Sequence, residues 1–171
     1  MGMKTAKTLA QSAVLVALAL ALSYTERFIP LQMVIPLPGV KLGLANIATL
    51  VALYALGWQK TIPIVVVRCF LGALFGGLTG ILFSLTGGML SLGVMAACKK
   101  IPVFSIYGVS ILGAAAHNIG QIFAAMALMG SVYVWAYLPY LLLIAIFTGT
   151  ATGAACAGVL RAFQLVRISN R

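Results

Sequence analysis

Apolar residues run along this chain in six blocks, at 9–23, 42–56, 61–75, 78–97, 107–129 and 138–160, each closed by a short polar or broken stretch. A helix rises about 1.5 Å per residue, so about 20 apolar residues cross a bilayer core. The blocks predict six helices of near membrane-crossing length. The breaks lie at Tyr24 to Lys41, Gly57-Trp58-Gln59-Lys60, the glycine-rich turn region of Gly72, Gly76 and Gly80, Lys99-Lys100 with Pro102, and Gly130 to Trp135.

The longest break carries Glu26, Arg27, Pro30, Pro36 and Pro38, yet also the apolar Leu31, Met33, Val34, Ile35 and Leu37. It is expected to fold back on the bundle, and a connection of this length in so small a protein is more often functional than idle. It ends in Pro36-Leu37-Pro38-Gly39-Val40-Lys41-Leu42-Gly43-Leu44-Ala45-Asn46-Ile47, where proline and glycine hold the chain out of a helix until the next apolar block begins. Polar side chains and irregular backbone are tolerated at membrane depth only where they are buried in protein or line a cavity. Lys41 and Asn46 are therefore read as one wall of a small-molecule site. The plainer alternative is a snorkelling lysine and a helix-packing asparagine.

Composition settles the class. Hydrophobic residues make up 63% of the 171 and charged residues 7%, and the mean hydropathy is +1.16. So few charges cannot cover the surface of a soluble domain of this size. The expectation is a single transmembrane domain over 1–171, an all-α integral membrane protein built as a six-transmembrane-helix bundle. The first block, with Lys4 and Lys7 before it and Ala19-Leu20-Ala21 as a possible cleavage site, also resembles a signal peptide. A retained first helix is preferred, because the remaining helices offer it packing partners.

Eleven Lys and Arg face a single acid, Glu26, and aspartate is absent. The basic residues fall between apolar blocks rather than in one arm, which argues for helix flanks and against nucleic acid. Without a second carboxylate there is no acid/base pair, no Asp-rich Mg²⁺ site and no ATPase motif. No catalytic residue, metal site or cofactor is expected, and the chain is not read as an enzyme. Cys69, Cys98 and Cys156 lack metal-ligand spacing and are read as small hydrophobes. With six spans, Lys4, Lys7, Lys60, Lys99, Lys100, Arg161, Arg167 and Arg171 share one side, and only Arg27 and Lys41 lie on the other. The positive-inside rule then puts both termini in the cytoplasm of a multi-pass protein, with the long break facing outward.

Polar groups inside the blocks mark a candidate site. His117, Asn118 and Gln121 share a face near the middle of the fifth helix, and Ser110 and Ala114 extend it. Either they form an interhelical hydrogen-bond knot or they touch a ligand. Arg68 is the residue hardest to place, since a mid-membrane arginine costs about 2.5–3.5 kcal/mol on insertion scales. Its partner is Glu26, the carbonyls of a broken helix, or an anionic ligand. If Glu26 pairs locally with Arg27, then Lys41 and Arg68 leave an uncompensated positive pocket suited to carboxylate or phosphate. Gly72, Gly76 and Gly80 allow close packing, and Thr86-Gly87-Gly88 either unwinds its helix or admits a neighbour. Ala13, Ala17 and Ala21 repeat every fourth residue on the first helix and make a flat stripe, for another subunit or for this same chain.

Pro38-Gly39-Val40-Lys41-Leu42-Gly43-Leu44-Ala45-Asn46, with His117-Asn118 and Gln121 later, resembles the hallmark of the heptaprenyl diphosphate synthase component I family, also called Gx transporters. That family is similar to the S components of energy-coupling factor (ECF) transporters. The resemblance implies a bacterial cell-membrane protein of six helices that binds a small molecule near the outer face, beneath the loop between the first two helices. It also implies partners: an ECF coupling transmembrane subunit, met by the alanine stripe, and its ATPases. Substrate-binding residues expected on this basis are Lys41, Asn46, Arg68, His117, Asn118 and Gln121. The family label further suggests an isoprenoid or quinone precursor as substrate, or alternatively an accessory role in prenyl diphosphate or quinone synthesis. A purely structural membrane scaffold would not need the midplane polarity.

Overall fold

The computed structural model describes residues 2–29 and 41–169. Of the expected roof of the site, Arg27 to Pro38, residues 30–38 lie outside the described residues, as does Arg171, and the side chains of Lys4, Arg27 and Arg167 lie outside them too. Every regular element among the described residues is helical: α1 (Gly2–Thr25), α2 (Asn46–Leu56), α3 (Trp58–Cys98), α4 (Ile106–Met129) and α5 (Leu138–Ser169), with 3₁₀ turns at Glu26–Phe28 and Val132–Tyr137. Four helical stretches are long and apolar enough to cross a membrane: Thr5–Thr25, Gly76–Cys98, Ile106–Met129 and Val132–Phe163; Asn46–Leu56 is shorter.

The third and fourth apolar blocks join in α3 with one non-helical residue between them. Gly77 has φ 65° and ψ −171°, a conformation that glycine adopts without a Cβ penalty. A Cβ on Gly88, beyond this break, would lie 3.1 Å from Val65 Cγ1 and 2.9 Å from Arg68 Nη2, both before it. The two limbs of α3 therefore lie side by side, folded back at Gly77, and six helical limbs result. Thr86-Gly87-Gly88 does not unwind: the helix runs through it, and the glycines admit neighbours.

The second block starts its helix later than the apolar pattern suggests. Gly43 has φ 82°, and a turn follows in which Asn46 N donates to Gly43 O at 2.8 Å. At the far end of α2, the Lys99 ammonium donates to Leu53 O at 2.9 Å and lies 4.6 Å from the Tyr54 ring centre. A cation at a helix C-terminus satisfies a carbonyl and meets the negative end of the dipole. Helical threonines meet the polar demand locally, for example Thr86 Oγ1 to Leu82 O at 2.7 Å and Thr148 Oγ1 to Ile144 O at 3.1 Å.

α3 packs along α4, α4 along α5, and α2 is enclosed by α1, α3 and α5. One core gathers Leu50, Leu53, Val65, Leu92, Met95 and Val109. A second gathers Phe83, Ile122, Ala125, Val134 and Leu141. Along α4 the polar positions His117 to Gln121 fall between Val109 of the first and Ile122 of the second.

Candidate functional site

The polar side chains meet where the loop ahead of α2 touches α3 and α4. Two glycines hold the His117 ring. A Cβ on Gly87 would come within 2.8 Å of His117 Cε1 and Nδ1, and one on Gly43 within 3.1 Å of His117 Cδ2. Gly88, next along α3, leaves the space in which the Arg68 guanidinium sits. Gly120 lets α4 come this near, since its Cβ would stand 2.7 Å from both Gly87 Cα and Thr86 O. The glycine pair that the sequence left between two readings is a cradle for the two buried basic side chains.

The hydrogen bonds run across elements. Arg68 Nη2 donates to Asn46 Oδ1 at 3.3 Å. The Lys41 backbone N–H donates to Gln121 Oε1 at 3.3 Å, and the Lys41 ammonium donates to Ser84 Oγ at 3.2 Å. Gln121 Nε2 lies 3.0 Å from His117 Nε2. With Gln121 Oε1 taken by Lys41, the amide nitrogen is the donor, so His117 Nε2 is an acceptor and the hydrogen sits on Nδ1. That Nδ1 faces the Gly87 backbone without a partner in hydrogen-bond geometry.

Lys41, Asn46, Arg68, His117 and Gln121 are thus brought together as expected. Asn118 is not: its amide donates to Leu141 O at 2.7 Å, tying α4 to the start of α5. One residue along a helix turns a side chain by about 100°, which is enough to send Asn118 to the other neighbour. Ser84 was not foreseen; only packing brings it to Lys41.

Glu26, one of the partners expected for Arg68, does not stay at the surface. It is 5% exposed, and its carboxylate accepts from the Gly43 backbone N–H. Both Lys41 and Arg68 act on it electrostatically. The pocket is therefore partly compensated. Burial nevertheless pushes the Glu26 carboxyl up to about 7, against the pull of the Gly43 hydrogen bond, Lys41 and Arg68. Removing a carboxylate from water outweighs these contacts.

A small cavity of about 10 Å³ opens beside the cluster, lined by Ser23, Lys41, Arg68, Cys69, Gly72, Gly76 and Ser84. That is room for about one water, so a larger guest needs the lining side chains to move. Arg68 is 6% exposed, and its Nε has no hydrogen-bond partner. Among the described residues no group of His, Cys, Asp or Glu has metal-binding geometry. On α1 the residues facing the bundle are Ala19, fully buried, with Leu15 and Leu20 beside it, whereas Ala13, Ala17 and Ala21 are all exposed. Packing within the same chain, the alternative for the stripe, is not what the alanines do.

The arrangement defines a helical membrane-protein scaffold with one buried cationic centre. The family model described as Heptaprenyl diphosphate synthase component I matches residues 15–159, and the chain belongs to that family. No curated protein and no solved structure matches it.

Proposed function

We propose that this protein is a substrate-binding membrane subunit, similar to the S components of ECF transporters, that holds a small anionic molecule at the Lys41–Arg68 centre. One observation carries the reading: a buried guanidinium with an unpartnered Nε lines a cavity together with a lysine ammonium. A buried cation without full pairing is costly, and a ligand that brings negative charge into this setting offsets that cost. Asn46, Gln121 and His117 orient the cations and the loop backbone around the guest; Asn118 serves the packing of α4 on α5.

In this reading the six helical limbs all cross the membrane and both termini are cytoplasmic. The site then lies in the outer half, and the bound molecule is an isoprenoid or quinone precursor or another small acid. The exposed alanine stripe of α1 meets an ECF coupling subunit and, through it, the ATPases, because the chain itself has no ATPase motif.

The family description favours a second reading, a membrane accessory subunit of prenyl diphosphate synthesis. In that case the same cations hold a diphosphate for a partner enzyme, since a chain without aspartate has no Asp-rich motif for Mg²⁺.

Native mass spectrometry of mildly purified protein tests the common core. A retained anionic molecule should be present, lost in Arg68→Ala and reduced in Arg68→Lys, which keeps the charge but not the planar fork. If Arg68→Ala unfolds the protein yet any folded fraction binds the molecule as well as the parent, Arg68 is structural and the reading fails. A synthase copurifying in place of an ATPase module would decide for the second reading.

A further inference from the structure

Glu26 is the one acidic side chain of the chain, and the fold buries it beside the two cations proposed to hold the ligand. Two cations act on it: Lys41 on the loop ahead of α2 and Arg68 on the first limb of α3. Cys69 on that limb and His117 on α4 lie near the same cations. His117 accepts from Gln121 and carries no positive charge. Arg27 follows in the chain, and residues 30–40 contain no ionisable side chain. The sequence has no other acidic side chain to bring to this centre.

The Glu26 carboxylate therefore acts as the resident counter-ion of the two cations. A second anion arriving beside Lys41 and Arg68 would sit near that carboxylate in a setting that screens charge poorly. Two like charges sharing one site cannot both stay ionised cheaply, and the group that can shed its charge takes up a proton. The backbone N–H groups of Gly43 and Leu44 do not forbid this, because a protonated carboxyl keeps lone pairs that accept from them. Protonation leaves both cations to the guest.

We propose that the site takes up an anion and a proton together, with Glu26 as the proton acceptor and bulk water as the proton source. The inference rests on the anion-binding reading above. It makes the protein's affinity for its anion a function of pH on the side where the site is loaded. The resting position of the Glu26 carboxyl, near 7, makes the exchange responsive at physiological pH.

The test uses sulfate, whose charge is constant between about pH 6 and about pH 9, and the full chain in detergent micelles. Isothermal titration in two buffers of different ionisation heat counts protons taken up per sulfate bound. For the parent, uptake should approach one proton above neutral pH, and affinity should fall by up to about tenfold per pH unit as pH rises through the Glu26 range. Glu26→Gln keeps the acceptor for Gly43 N–H and removes the charge. It should bind sulfate more tightly than the parent at high pH, with no proton uptake and no slope. Sulfate bound by the parent without proton uptake overturns the inference and leaves the anion site standing, as does a Glu26→Gln variant that keeps the slope. A parent that binds no sulfate at any pH, with Arg68→Ala unchanged from it, overturns both.

Discussion

Three glycines around the buried basic side chains allow a graded test of the site's geometry. Replacing a helical glycine by alanine gains up to about 1 kcal/mol of helix propensity, and overpacking costs about 1–3 kcal/mol. What the new Cβ meets decides the sign. In Gly120→Ala it meets backbone on α3, at 2.7 Å from Gly87 Cα and Thr86 O. Backbone cannot move without separating the helices, so a net loss near the upper end, about 2 kcal/mol or more, is expected. In Gly87→Ala it meets the His117 ring at 2.8 Å and His117 O at 3.0 Å. The ring is held from the other side by Gly43, so a loss of about 1–2 kcal/mol is expected. In Gly88→Ala it meets Arg68 Nη2 at 2.9 Å, the far end of a flexible side chain, and the buried Val65 Cγ1 at 3.1 Å. The loss should be the smallest of the three, about 1 kcal/mol or less, because propensity offsets part of the displacement. Anion binding, however, should fall at least tenfold, because the guanidinium leaves its place over Gly88. Unfolding by dodecyl sulfate titration gives the stabilities, and sulfate titration gives the binding. If Gly88→Ala proves the most destabilising of the three, or binds sulfate as the parent does, the cradle is misread.

Other consequences follow from single residues. Because the folded chain binds the Glu26 proton more tightly than an unfolded chain does, stability should fall as pH rises from about 4.5 to about 7 and level off above. The shift to about 7 from 4.5 corresponds to about 3 kcal/mol, and Glu26→Gln should remove this dependence in a thermal melt; an unchanged curve would show that the carboxyl is not the group responsible. Ala17→Leu on the exposed stripe of α1 should leave fold and anion binding intact while blocking assembly with a coupling subunit, read by copurification. Survival of assembly with leucine at Ala13, Ala17 and Ala21 together would remove the stripe as an interface. Cysteines placed at residue 35 and at the C-terminus should label from opposite faces of the membrane, and labelling from the same face would refute the proposed orientation.

The run of apolar blocks and the scarcity of charge were enough to establish an all-helical membrane protein. Both are averages over many residues, so no single packing detail can overturn them. The residues of the site were largely legible for the same energetic reason: Arg68, His117 and Gln121 stand out because hydrocarbon makes each of them expensive without a partner. The motif from Pro38 to Asn46 was enough to name the family. Direction was not legible. Asn118 differs from His117 by one position, and the neighbour it faces depends on how α4 is rotated against α5. Whether Thr86-Gly87-Gly88 breaks a helix or receives a side chain depends on what stands opposite, and only the folded-back limbs of α3 bring His117 and Arg68 there. The fate of Glu26 was left open, between a partner for Arg68 and a local pair with Arg27. A carboxylate beside an arginine at the end of a helix reads as a surface pair, because local sequence knows only its neighbours in the chain. The tertiary structure instead buries it against Gly43 N–H and within the field of Lys41 and Arg68, which lie 17, 15 and 42 residues away in the chain.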